Sequence, residues 1–137
     1  MKAFIDTNVL IDYICKRESF FIPAKSVFAA CFMGRVDIVV SGLSIVNLLY
    51  ICRKHNIAAL KASLMGLSQY IEIIDLPSTF VINGLKSDWL DYEDFLQYET
   101  AIASNCDCII TRNPDDFSMS RLPVYNALDF MLSLRNG

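Results

Sequence analysis

The chain has 137 residues, 54% of them hydrophobic and 20% charged, with a formal net charge of −3. That length suits a single domain, residues 1–137, large enough to bury a continuous core. The acidic balance argues against a passive, charge-driven nucleic-acid binder, and no apolar run reaches the roughly 18 residues that a membrane span needs.

In chain order, residues 2–5 (KAFI) read as a first strand and 7–16 as a helix. Pro23 is expected to start the next helix and Gly34 to end it near Met33. A β-branched strand follows at 36–40 (VDIVV), then a helix over 43–55 with Ile45, Leu48, Leu49 and Cys52 on one face. Residues 57–69 form another helix, 70–76 (YIEIIDL) a strand and Ser78–Lys86 a short helix. Asp91 or Tyr92 opens a helix reaching Asn105, with Phe95, Tyr98, Ala101 and Ile102 spaced as an apolar face. A strand at 106–111, a brief one at 122–125 and a helix over 127–134 close the chain. Strands alternating with helices imply an α/β fold: a central parallel sheet of four or five strands, joined by right-handed crossovers and covered by helices.

The N-terminal stretch MKAFIDTNVLID lacks the ordered regions of a signal peptide, since Asp6 and Asp12 interrupt it. The expected compartment is the cytoplasm. Five cysteines cannot all pair within the chain, and four of them sit in apolar runs, which reads as ordinary core packing. Cys106 and Cys108 are two apart, so on one strand they point to the same face. A structural zinc site usually wants four Cys or His ligands, and His55 is the only histidine. Both cysteines are therefore assigned to the core.

In parallel sheets, ligands sit beyond the carboxyl ends of the strands, where strand order reverses. Asp6 directly follows the first strand, Asp116 lies just after the 106–111 strand, and Asp91 and Asp94 begin the helix feeding that strand. Carboxylates gathered into one cleft repel unless a cation joins them. Mg²⁺ and Mn²⁺ take hard oxygen ligands, usually one or two carboxylates completed by water and substrate phosphate. The bland readings stand alongside. Asp12 reads as a solvated helix acid, Asp115 as turn chemistry, Phe95 and Tyr98 as core, and His55 as part of a charged helix end. Arg112 adjoins the acidic positions, where a phosphate contact and a solvated surface role weigh evenly.

Two segments, FIDTNVLID at 4–12 and DYEDFLQYETAIASNCDCIITRNPDDF at 91–117, make the sequence resemble the PIN-domain family of metal-dependent ribonucleases, many of them VapC-type toxins of toxin–antitoxin pairs. The resemblance spans nearly the whole chain and implies a three-layer α/β/α fold. It implies Asp6, Asp94 and Asp116 as catalytic residues holding Mg²⁺ or Mn²⁺. Asn8 supports Asp6, and Thr111 and Asn113 fill the usual polar positions of T-R-N-x-x-D-F. At one place the chain departs from the pattern. The family commonly carries a glutamate on the helix after the second strand, and here Ser44 is followed by Asn47 at that position. Asn47 is expected to orient a ligand water, and Asp91, three residues before Asp94, to compensate in charge. Arg112 is expected at the substrate.

The function so implied is hydrolysis of RNA phosphodiesters, with an antitoxin protein as a partner and a homodimer as the assembly. Two alternatives are carried beside it. A PIN-like fold lacking the helix glutamate serves as an RNA-binding or protein-interaction module. A phosphatase of the haloacid-dehalogenase type needs D-x-D-x-T after the first strand, and DTNVL places Asn8 and Leu10 at its last two positions.

Overall fold

A computed structural model describes residues 1–136. Five strands form one fully parallel sheet in the order β3-β2-β1-β4-β5. They are β1 (Lys2–Ile5), β2 (Asp37–Ser41), β3 (Glu72–Ile74), β4 (Cys108–Ile110) and β5 (Val124–Tyr125). The helices are α1 (Thr7–Ile14), α2 (Phe21–Phe32), α3 (Gly42–Ile51), α4 (Ile57–Leu67), α5 (Ser78–Lys86), α6 (Tyr92–Ala103) and α7 (Ala127–Asn136). The expected three-layer α/β/α architecture with a central parallel sheet of five strands is what the chain adopts.

The period-two pleat divides each central strand between two cores. Ala3 and Ile5, Ile38 and Val40, and Cys108 and Ile110 enter a large core under α1, α2, α3, α4 and α7. Phe4, Val39 and Ile109 enter the opposite one, with Ala101 of α6 and Phe117. Gly84 lets α5 lie against α6, since a Cβ there would fall 2.4 Å from the Tyr92 ring and 3.1 Å from Phe95.

Element ends differ from the sequence reading for local reasons. Helix α2 starts at Phe21, leaving Pro23 in the first turn, where its missing N–H costs no helical bond. Lys16 takes a left-handed φ of 51° beyond α1, and α3 gives way at Ile51 to a turn closed by the His55 N–H on the Cys52 carbonyl. Strand β2 runs one residue later than expected, registered by Lys2 against Asp37. Ile102 faces solvent, outside the apolar face of α6.

The cysteine pair needs a correction. Cys106 precedes β4 and closes the end of α6, its N–H donating to the Ala101 carbonyl at 3.0 Å. It therefore stays in the core on the α6 side, whereas Cys108 enters the opposite core. The two thiols do not share a face. Burial pushes each of them up to about 12.

Candidate active site

Strand order reverses at β1, so the crevice expected of an open parallel sheet lies beyond the carboxyl ends of β1 and β4. Asp6 leaves β1 there, its N–H donating to the Ile110 carbonyl at 2.9 Å, and it caps the N-terminus of α1. An acid at that position accepts orphan helix donors and sits at the positive end of the dipole. Its Oδ1 accepts from the Thr7 N–H at 2.8 Å and its Oδ2 from the Thr111 hydroxyl at 2.8 Å. Only 7% of the residue is exposed. Burial raises the Asp6 carboxyl above its ordinary range, against hydrogen bonds from Thr111, Gln97 and Thr7 that favour the anion, while the Glu93 charge adds to the rise.

A buried polar hub fixes this corner. Ser41 ends β2 and caps α3, its hydroxyl accepting from the Ser44 N–H at 3.2 Å and donating to Gln97 Oε1 at 2.7 Å. Gln97 Nε2 lies 2.8 Å from Ser44 Oγ, 3.1 Å from Thr7 Oγ1 and 3.2 Å from Asp6 Oδ1. The Ser44 and Thr7 hydroxyls meet at 2.7 Å. Gln97 is 2% exposed and ties β2, α1, α3 and α6 together. Sequence reasoning passed over it. Its signal was an amide in the inward stripe of α6, three residues from Asp94 and four from Ala101.

Asp91 is the N-cap of α6, as one of the two expected openings had it, and its carboxylate accepts from the Asp94 N–H at 2.9 Å. Asp94 is half-buried and borders two cavities of about 220 Å³ each. Asp6, Asn8, Asn47, Glu93 and Arg17 line the first. Asp91, Asp115, Asp116 and Trp89 line the second. The Asp94 carboxyl is pushed up to about 7, first by burial and then by the charges of Asp6, Asp91, Asp116 and Glu93. Asp116 is exposed on a 3₁₀ turn, Pro114–Phe117. Phe117 anchors that turn, packing edge-on against Trp89 at 5.8 Å, and Trp89 in turn stacks on Tyr98 at 5.0 Å.

The three motif aspartates thus share one electrostatic neighbourhood without meeting at one point. Asp94 stands between Asp6 and Asp116, and among the described residues no three His, Cys, Asp or Glu side chains gather closely enough to hold one ion. Asn47 lines the first cavity and donates from Nδ2 to Glu93 Oε1 at 2.7 Å. Glu93 was absent from the sequence reading, hidden among the acids that open α6. Asn8 accepts from the Arg112 N–H at 3.1 Å and reaches Thr111 Oγ1 at 3.5 Å, which also receives the Asn113 N–H at 3.3 Å. These contacts shape the loop after β4 around Asp6.

Arg112 goes elsewhere than the substrate-facing position expected of it. Its guanidinium forms a two-pronged ion pair with Asp12 and lies 4.1 Å from the Phe20 ring centroid. Asp12, expected to be solvated, is buried as the other half of that pair. Arg17, at the turn between α1 and α2, is the basic side chain that lines the acidic cavity.

The donor set suits a hard divalent cation. Its carboxylates offer hard oxygen donors, and among the described residues none of them is in an ion pair. An ion that keeps most of its waters needs only one or two carboxylates, so three need not converge for Asp6 and Asp94 to hold one.

A family profile described as a PIN domain matches residues 2–115. No curated protein matches the chain. Among solved structures, it is similar to VapBC2 from Rickettsia felis bound to a DNA fragment from its promoter, at 20% identity and TM-score 0.67, covering 92% of this chain and 98% of that one. A toxin–antitoxin complex from Klebsiella pneumoniae gives 23% identity and TM-score 0.67, covering 91% and 97%. PAE2754 from Pyrobaculum aerophilum gives 11% and 0.68, covering 100% and 91%. At these identities the likeness is one of fold, and the profile match over residues 2–115 carries the family: the chain belongs to the PIN-domain family.

Proposed function

We propose that the protein is a divalent-metal-dependent endoribonuclease that hydrolyses RNA phosphodiester bonds, acting as the toxin of a toxin–antitoxin pair. The observation that supports it most is the Asp94 carboxyl held at about 7 by burial and by acids from two other chain segments, at the switch point of the sheet. Perturbed carboxylates cluster at functional sites, and these lie in a cleft at the position where open parallel sheets bind ligands. Asp6 and Asp94 would hold Mg²⁺ or Mn²⁺, with Asp116 reaching from the far side of Asp94. The bound ion supplies an activated water and neutralises charge on the phosphate.

The chain's own groups have separate tasks. Thr111, Thr7 and Gln97 fix the Asp6 carboxylate by hydrogen bonding, so that its lone pairs are directed before any ligand arrives. Asp91 caps α6 and thereby sets the backbone that carries Asp94. Asn113 and Asn8 hold the loop of Asp116 through Thr111; Asn47 lines the wall opposite, and the buried Ser44 bonds Thr7 and Gln97 beneath it. Arg17 is the cation available to a substrate phosphate in that cavity, while Arg112 acts through the Asp12 pair.

An antitoxin partner, a homodimeric assembly and a cytoplasmic location belong to the same reading. The similarity to toxin–antitoxin complexes supports the partner, and exposed Ile22, Phe32 and Met33 at α2 and its end supply apolar surface for association. No helix among the described residues is long and apolar enough to cross a membrane. Cleavage of a mixed RNA pool with Mn²⁺, with chelator, and with Asp6→Asn and Asp94→Asn tests the activity. Cleavage that survives either substitution or the chelator refutes it. The rival reading, a PIN-like module without catalysis, draws on Asn47 in place of an acid; RNA binding without cleavage, equal in both variants, would favour it.

A further inference from the structure

The cavity containing Asp6 and Asp94 holds one pairing that the metal-binding pattern does not account for. Asn47 stands on α3 where a carboxylate belongs, yet its amide reaches across the cavity to Glu93 on α6, 46 residues away in sequence, at 2.7 Å. We infer that Glu93 supplies from α6, through the water shell of a cation held by Asp6 and Asp94, the carboxylate that α3 lacks, with Asn47 as the positioning residue that holds it at the cavity.

The inference rests on the metal-dependent reading above. Glu93 and Asn47 both line the cavity that contains Asp6 and Asp94, so the acid lost from one wall reappears on the facing one. Adjacent helical residues are turned by about 100°, and that turn separates the two acids. Asp94 borders both cavities, whereas Glu93 lines only the one that Asp6 also lines. A long exposed glutamate has rotamer entropy to lose when it is fixed. A charge-assisted hydrogen bond from a half-buried amide offsets that loss. Oε1 accepts from Asn47, and among the described residues no hydrogen bond engages Oε2. An asparagine here is therefore more than a missing charge: it donates, where a glutamate could only accept.

The test is Mn²⁺ binding by the full chain, followed through the free-ion electron paramagnetic resonance signal at mildly alkaline pH, with circular dichroism confirming each fold. The wild-type chain should bind, and Asp94→Asn should not. Glu93→Gln should weaken binding about tenfold or more, the scale of a lost outer-shell group. Glu99→Gln, which removes the same charge from the same helix outside this cavity, should leave it unchanged. Asn47→Ala should weaken binding in the wild-type chain and have no further effect in the Glu93→Gln chain, because a residue acting only through Glu93 has nothing left to position. The double variant Asn47→Glu with Glu93→Gln should recover most of the affinity, since the new amide can donate to the new carboxylate. If Asp94→Asn abolishes binding while Glu93→Gln matches wild type, this inference falls and the parent reading stands. Equal losses in Glu93→Gln and Glu99→Gln, pointing to general charge, also overturn it. A wild-type chain that takes up no Mn²⁺ overturns both.

Discussion

Replacing Gln97 with leucine tests whether the buried hub positions Asp6. The substitution keeps the volume of the side chain approximately and removes its polar end. Four contacts disappear: Ser41 Oγ to Oε1 at 2.7 Å, and Nε2 to Ser44 Oγ at 2.8 Å, Thr7 Oγ1 at 3.1 Å and Asp6 Oδ1 at 3.2 Å. With two protons, Nε2 donates to two of its three neighbours at once, so the loss amounts to three hydrogen bonds. Not all three leave orphans. Ser44 keeps Thr7 Oγ1, and Asp6 keeps the Thr7 N–H and the Thr111 hydroxyl. Ser41 fares worst: its hydroxyl still accepts from the Ser44 N–H, but the acceptor left for its own proton, Ser44 Oγ, is 3.4 Å away. Two neutral bonds at about 1 kcal/mol each and one to a carboxylate at about 2 kcal/mol give a gross loss of about 4 kcal/mol. Burying leucine in place of an amide returns about 1–2 kcal/mol, leaving a net destabilisation of about 2–3 kcal/mol. For a chain of this size that lowers Tm by about 10 °C. Urea unfolding followed by circular dichroism measures the loss, and carboxyl NMR titration should show the Asp6 pKa moving further up, because a bond favouring its anion is gone. A loss under about 0.5 kcal/mol, the range of neutral surface changes, would refute the hub.

Asp94 gives the protein a pH signature. A carboxyl at about 7 in the fold and near 3.8 when unfolded keeps its proton longer in the native state. Metal-free stability should therefore fall as pH rises from about 4 to 7 and level off above, while Mn²⁺ affinity rises over the same interval; Asp94→Asn should flatten the stability profile, and a flat wild-type profile contradicts the crowding. Arg112→Ala strands Asp12, which is 2% exposed, and should cost about 3 kcal/mol; a loss below about 1 kcal/mol by chemical denaturation would show that Asp12 finds another partner. Gly84→Ala should destabilise by about 1–2 kcal/mol, overpacking against Tyr92 and Phe95 offset in part by helix propensity. A gain in Tm would mean that both rings swing aside.

The fold was legible because its signals are periodic and local. Alternating β-branched runs and helical stripes marked the layers; strand order drew attention to Asp6, Asp91, Asp94 and Asp116, and the PIN resemblance then chose Asp6, Asp94 and Asp116 among them. What stayed illegible depends on pairings distant in sequence. Asp12 and Arg112 are 100 residues apart, and nothing near either tells that one is buried under the other. Gln97 resembles any surface amide until Ser41, Ser44 and Asp6 are seen converging on it. Glu93 was masked by its acidic neighbours, and Cys106 by a strand expected to begin two residues early.

The cleft is where fold and chemistry oppose one another. Asp94 sits half-buried among like charges, a placement that lowers native stability at neutral pH. What keeps it there are neutral partners and packing: Gln97 and Thr111 binding Asp6, Asp91 capping α6, and the Trp89–Phe117 contact seating the turn of Asp116. None of these supports brings a positive charge: the hydrogen bonds to Asp6 offset part of its cost, and the rest keep the side chains from moving apart. A cation pairing with the carboxylates would be bound by groups already held in place, and it would stabilise the native state by mass action because the unfolded chain offers no such site. On the proposed function, the same crowding that weakens the metal-free protein would become the source of affinity for a divalent ion.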